Sequence, residues 1–177
     1  MLRTASITAG VACLLLAACQ PPNKLQPLTA ADSTAIAKIA TDYVAAWNKG
    51  NVDGVVALYT ADAVRQLQDT VVLKGANAIR TYLNTAMGTP LRPTLAIQVT
   101  STIGRQDLAV SAGTFTLTPP APPAPAKGAA QAAPAPIVGK WNNVTMKQAD
   151  GSWKAVLDAV TYDAPRVAPA APAKGRH

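Results

Sequence analysis

Tyr43-Val44-Ala45-Ala46-Trp47-Asn48-Lys49-Gly50-Asn51-Val52-Asp53-Gly54-Val55-Val56-Ala57-Leu58-Tyr59 holds a helix end, a stop and a restart within seventeen residues. Reading back from it, Ile36, Ile39, Ala40, Tyr43, Val44 and Trp47 recur at the spacing of one helix face. Thr29, with Asp32 three residues on, imitates a capping box, so folded structure is expected to start near residue 29. Gly50 closes this first helix, because glycine takes the left-handed conformation of a helix end at little steric cost. A second short helix is expected from about Asp53 to Tyr59, carrying Val55, Val56 and Leu58.

Farther along, Ala76 to Met87 reads as a third helix with Ile79, Tyr82, Leu83 and Met87 on one face. Between the second and third helices, Ala63 to Leu67 and Val71 to Lys74 read as two short strands around Gln68-Asp69-Thr70. After residue 90 the period changes to two. Leu95, Ile97, Val99 and Ile103 alternate among threonines, and Leu108, Val110 and Ala112 lie on one parity while Phe115 and Leu117 lie on the other. That switch at Gly113 predicts a bulge. Val138 to Gln148 and Trp153 to Tyr162 form a hairpin around Asp150-Gly151. Trp141 and Trp153 flank its turn, are expected to pair across the strands, and are candidates for a dimer surface if their face is the outer one. Helices first and a mostly antiparallel sheet after them is an α+β order.

The quoted stretch, followed by Asp62-Ala63, resembles the opening of the ketosteroid isomerase and SnoaL-like branch of the NTF2-like superfamily. Lys74-Gly75-Ala76-Asn77-Ala78-Ile79-Arg80 is similar to that branch's entry to its third helix. Gly139-Lys140-Trp141 through Asp150-Gly151-Ser152-Trp153-Lys154 is similar to the last hairpin of its DUF4440 members. The resemblance covers residues 30–163 apart from residues 119–136. It implies a cone, three N-terminal helices packed on a curved, mostly antiparallel sheet, with a pocket at the open end and often a homodimer through the outer sheet face.

The resemblance also implies where chemistry would sit. The isomerase uses an aspartate base, with a tyrosine and a protonated aspartic acid to polarise a carbonyl. Carried across, the tyrosine falls on Tyr43, the base position on Leu67 and the protonated-acid position on Thr145. Without a base, the general-base contribution of about 10²–10⁴-fold is lost, so steroid isomerisation is not expected. Polyketide-cyclase members use an aspartate of the last strand as acid and base, and Asp158 occupies that strand. It shares a face with Val156, Val160 and Tyr162, and the resemblance turns that face into the pocket. Asp158 is therefore either a general base with Tyr43 as donor, or a structural carboxylate accepting hydrogen bonds from a neighbouring strand or from Asn142 or Asn143. The expected ligand-binding set is Tyr43, Leu67, Thr145, Val156, Asp158, Val160 and Tyr162.

The ends of the chain carry different information. Arg3 and the uncharged run Ala5 to Ala18 read as an export signal, too short to span a bilayer as a helix. Leu16-Ala17-Ala18-Cys19 resembles the bacterial lipobox, which implies cleavage before Cys19, lipidation of its sulfur and a membrane anchor. Gln20 at the next position, by resemblance to sorting in Gram-negative bacteria, implies the periplasmic face of the outer membrane. The domain plan is thus a signal over residues 1–18, a tether over 19–28, the cone over 29–163 and a disordered tail over 164–177. Residues 119–136 are Pro or Ala at fifteen of eighteen positions, a loop insertion between two strands.

Composition narrows the rest. The chain has one histidine, His177, and two cysteines, Cys13 and Cys19, so Cys/His metal clusters and cysteine or histidine catalysis have almost no raw material, and neither metal nor cofactor is expected. The net charge of +7 falls to +3 over residues 34–163, from eleven Lys/Arg against eight Asp, with no basic run, so nucleic acid is not expected as a partner. The expected function is a lipid-anchored envelope protein whose cone binds a small apolar or amphipathic molecule, or a partner, without turnover. Two alternatives stand beside it: a cyclase- or isomerase-like enzyme using Asp158, and a structural dimer that scaffolds envelope components.

Overall fold

In the computed structural model of the chain the described residues are 25–68, 72–121 and 134–163. The export signal, Cys19 and most of the tether lie outside them, as do Asp69 to Val71, the centre of the Pro/Ala loop and the tail. The elements run α1 (Ala30–Lys49), α2 (Val52–Val56), β1 (Tyr59–Leu67), β2 (Leu73–Lys74), α3 (Ala76–Met87), β3 (Thr94–Arg105), β4 (Leu108–Thr118), β5 (Ile137–Lys147) and β6 (Trp153–Tyr162). The strands form one sheet in the order β2-β1-β6-β5-β4-β3, antiparallel at every pair except β1 with β6. Three helices on a mostly antiparallel sheet is the expected α+β cone. Among the described residues no helix is long and apolar enough to cross a membrane.

The start of α1 is fixed by both halves of a capping box: Thr29 Oγ1 accepts from Asp32 N, and Asp32 accepts from Thr29 N. Its end is fixed by Gly50, at φ 71° in the left-handed region. Two polar bonds then hold the helix to the sheet. Asn48 Oδ1 accepts from Leu95 N at 2.8 Å and its Nδ2 donates to Leu95 O at 3.0 Å, pinning α1 against the start of β3. The main core, including Trp47, Val55, Ile79, Leu83, Phe115 and Trp141, fills the space between helices and sheet. A smaller cluster of Ile36, Ile39, Ala109 and Trp153 closes the other end.

Several local expectations are corrected. The second helix stops at Val56, and Tyr59 opens β1, because Leu58 O accepts from Ala155 N and so starts the pairing with β6. Asp62 lies within β1. β2 is only Leu73–Lys74. The bulge opposite Gly113 exists but belongs to β3: Val99 pairs with Gly113 and Ser101 with Ala112, leaving Thr100 as the extra residue. β4 keeps one parity throughout, turning Ala109, Ser111, Gly113 and Phe115 inward, and Leu108 and Val110 are exposed on the outer face. Trp141 and Trp153 do not pair. Trp141 stands opposite Val160 and Trp153 opposite Lys147, and both are buried, so neither is on an outer surface.

A second bulge decides the site. Val144 pairs with Leu157 and Thr145 with Ala155, so Val156 has no register partner. The inward series on β6 therefore runs Trp153, Ala155, then Asp158, Val160 and Tyr162. The expected common face of Val156 with Asp158 is corrected: the extra residue shifts Val156 off it.

Candidate functional site

A cavity of about 270 Å³ lies between α1, α3 and the concave face of the sheet. Its walls are aromatic and aliphatic, with Tyr43 and Trp47 from α1, Tyr82 from α3 and Phe115 from β4. Glycine at 139 is what admits Phe115, since a β-carbon there would come within 2.6 Å of the ring. Tyr43 stacks near-parallel to Trp47 with centroids 6.3 Å apart, and Phe115 meets Tyr162 edge-on at 5.6 Å.

One polar cluster interrupts this lining. Arg65 on β1 is buried, and its Nη1 donates to Tyr43 Oη at 2.8 Å and to Tyr59 Oη at 2.7 Å, with Asp158 Oδ2 at 2.9 Å. Tyr59 in turn donates to Asp158 Oδ2 at 2.7 Å, closing the network. The guanidinium also lies 5.7 Å from the Tyr43 ring centroid and 5.6 Å from that of Tyr82, within cation–π range. Among the described residues nothing accepts a hydrogen bond from the buried Arg65 Nε or Trp141 Nε1.

Charge states follow from these contacts. Burial pushes both phenols up, Tyr59 strongly, with the Arg65 charge opposing, so each is a neutral O–H at physiological pH. Desolvation works against the Arg65 charge, but Tyr43, Tyr59 and Asp158 outweigh it and the guanidinium stays protonated. The cluster thus holds one positive and one negative charge in contact.

The expected site residues separate into two groups. Tyr43, Asp158, Val160 and Tyr162 line the cavity together. Leu67, Thr145 and Val156 are not in its wall. Leu67 is buried at the end of β1, and Thr145 is fully buried beyond the cavity, its Oγ1 directed at Ala109 O at 3.4 Å. On β5 the lining is made by Ile137, Trp141 and Asn143, the last of them two residues before Thr145 on the same inward face. Asp158 takes its partners from β1, namely Arg65 and Tyr59, rather than from Asn142 or Asn143.

Arg65 and Tyr59 are the residues the sequence reading missed. The signal for Arg65 was present, since Ala63, Arg65 and Leu67 alternate on one strand face and two of the three are apolar. Tyr59 was hidden by its assignment to the second helix. Among the described residues no group of three or more His, Cys, Asp or Glu side chains lies close enough to hold a metal ion.

The family model described as a SnoaL-like domain matches residues 40–141. The chain is similar to a ketosteroid isomerase-like protein from Erwinia carotovora atroseptica SCRI1043, at 20% identity and a TM-score of 0.60 over 75% of this chain and 96% of that one. It is similar to an NTF-2 like protein of unknown function from Shewanella oneidensis MR-1, at 13% identity and a TM-score of 0.58 over 72% and 97%. A domain of unknown function with a cystatin-like fold from Nostoc punctiforme PCC 73102 gives 20% identity and a TM-score of 0.64 over 78% and 82%. At these identities the likeness is one of fold. A search of curated proteins gives no match.

Proposed function

The chain belongs to the SnoaL-like domain family, with its NTF2-like fold, and we propose that it is a lipid-anchored envelope protein whose cone holds a small apolar or amphipathic molecule without turning it over. The observation that carries this reading is the state of Asp158. It is the acid in the cavity wall, and its Oδ2 is taken by Arg65 at 2.9 Å and by Tyr59 at 2.7 Å. A general base must be able to keep the proton it removes; here Oδ2 holds a buried cation, and a proton taken up by the carboxylate would leave Arg65 without its counter-charge. What remains is a small cavity with apolar walls, the form of a binding site.

The anchor is Cys19, at the periplasmic face of the outer membrane, and the partner in solution is a second copy across the outer sheet face. Supporting the second copy, Ile103 and Val110 are register partners and both are exposed, Ile103 at 68%. Calorimetric titration of the protein with 2-ethylnaphthalene and polar analogues of the same shape tests the cavity reading: saturable one-site binding is expected, and failure of every one of them to bind would overturn the reading. In D₂O, the methyl protons of 2-acetylnaphthalene should exchange no faster with protein than without it. Catalysed exchange would transfer the assignment to an isomerase-like enzyme using Asp158.

A further inference from the structure

Asn143 is a polar side chain of the cavity wall that the fold does not use. It stands on the inward face of β5, half-buried, with Ser111 of β4 and Asp158 of β6 as its register partners. Neither partner engages it. Ser111 bonds to Thr102 at 3.0 Å, and Asp158 is occupied by Arg65 and Tyr59. Among the described residues nothing hydrogen-bonds the Asn143 amide. An amide offers one acceptor and two donor hydrogens, and those of Asn143 remain accessible at the cavity wall to meet a polar group of a bound molecule.

Charge limits what can meet it. Arg65 and Asp158 cancel each other at 2.9 Å. A ligand carboxylate would bring an uncompensated negative charge beside Asp158, and a ligand ammonium would bring a positive one beside Arg65. Either would be desolvated without a counter-charge, which is expensive in a low-dielectric interior. Size limits it further, since about 270 Å³ lies just below the range of pockets that take drug-sized ligands.

We propose that Asn143 is the recognition residue of this cavity, and that the molecule it takes is a small, uncharged ring compound carrying one carbonyl or hydroxyl group. The inference rests on the cavity being a ligand site, and it adds which residue selects and for what chemistry.

Three probes of one shape separate the possibilities by calorimetry: 2-ethylnaphthalene, 2-acetylnaphthalene and 2-naphthoate. The protein is expected to bind the acetyl compound about tenfold more tightly than the ethyl one, the worth of one good hydrogen bond in an enclosed site, and the naphthoate most weakly. Asn143→Leu is expected to bind the ethyl and acetyl compounds equally, and its retained ethyl binding shows that it is folded. Should the variant fail to fold, the ranking of the three probes by the unaltered protein still decides. A naphthoate that binds tightest, an acetyl preference that survives Asn143→Leu, or ethyl and acetyl binding of equal strength in the unaltered protein would overturn the proposal and leave the cavity reading standing. Failure of all three probes to bind overturns both.

Discussion

Arg65 and Asp158 are register partners across the parallel β1–β6 pair, and Arg65 Nη1 lies 2.9 Å from Asp158 Oδ2 with both side chains buried. The contact spans the one parallel junction in the sheet, and Tyr43 brings α1 into the same network through its hydroxyl. A single guanidinium thus ties the first helix, the first strand and the last strand together at the cavity wall. Burying a lone charge is far more costly than burying a matched pair, so the pair is expected to behave as one unit.

Arg65→Met should therefore cost about 3–5 kcal/mol, because it leaves Asp158 buried without its partner. Asp158→Leu combined with Arg65→Met should recover a large part of that loss, as apolar replacements of buried ion pairs often do. Urea unfolding of the two single variants and the double variant reads the coupling. A loss under 1 kcal/mol for Arg65→Met would mean that the pair is not a structural unit.

Cys19 is the cysteine on which the anchor reading depends. Cys19→Ser should abolish labelling by radioactive palmitate and move the protein from the detergent phase to the aqueous phase. Several acyl chains on one residue anchor firmly because each buried methylene contributes about 0.8 kcal/mol. Membrane retention of the serine variant would sink the lipobox reading.

The Pro/Ala insertion should be dispensable for stability. Leu117 and Ile137 are register partners at the ends of β4 and β5, so the hairpin is already closed where the insertion leaves it. Replacing residues 119–136 with a four-residue turn changes loop entropy only logarithmically, by about 1 kcal/mol in the favourable direction. Calorimetry should find Tm unchanged or raised by a few degrees. A large fall would mean that the insertion packs on the cone.

Much of this architecture was legible in residue spacing. The face of Ile36, Ile39 and Trp47, the Thr29/Asp32 cap and the Gly50 stop all describe α1 as it stands, because each rests on local backbone chemistry. The site was less legible. Arg65 has the parity of a buried residue, but a cation is read as solvated by default, and it is the partners on β6, α1 and its own strand, Asp158, Tyr43 and Tyr59, that offset its burial. Val156 was misplaced because a bulge adds one residue with no compositional mark and reverses every inward assignment on one side of it. Thr145 and Asn143 share a face, and sequence gives no measure of how far along that face a cavity extends.

Asp32 is a second buried acid. Asp32 accepts from Lys147 Nζ at 2.7 Å, from Thr29 and from Trp153 Nε1 at 3.0 Å, so it joins the start of α1 to the final hairpin. The Lys147 contact first, then those with Thr29 and Trp153, hold its carboxyl well below the ordinary value of 3.8. A folded pKa below the unfolded one means that the unfolded chain binds the proton more tightly. The stabilisation is therefore fully present above about pH 4–5 and drains away as pH falls through 3.8 toward the lower folded value. Asp32→Asn keeps the shape and removes the charge. At pH 7 it should lower Tm by about 5 °C, through the weakened cap and the loss of the Lys147 contact. Below pH 4 the gap to the unaltered protein should begin to narrow, and it closes only where the folded carboxyl is itself protonated and resembles the asparagine variant, other carboxylates titrating alike in both. Thermal unfolding of the two proteins from pH 7 down to pH 3 measures the gap directly. A gap that stays constant over that range would show that Asp32 acts through hydrogen bonding alone, with its charge contributing nothing.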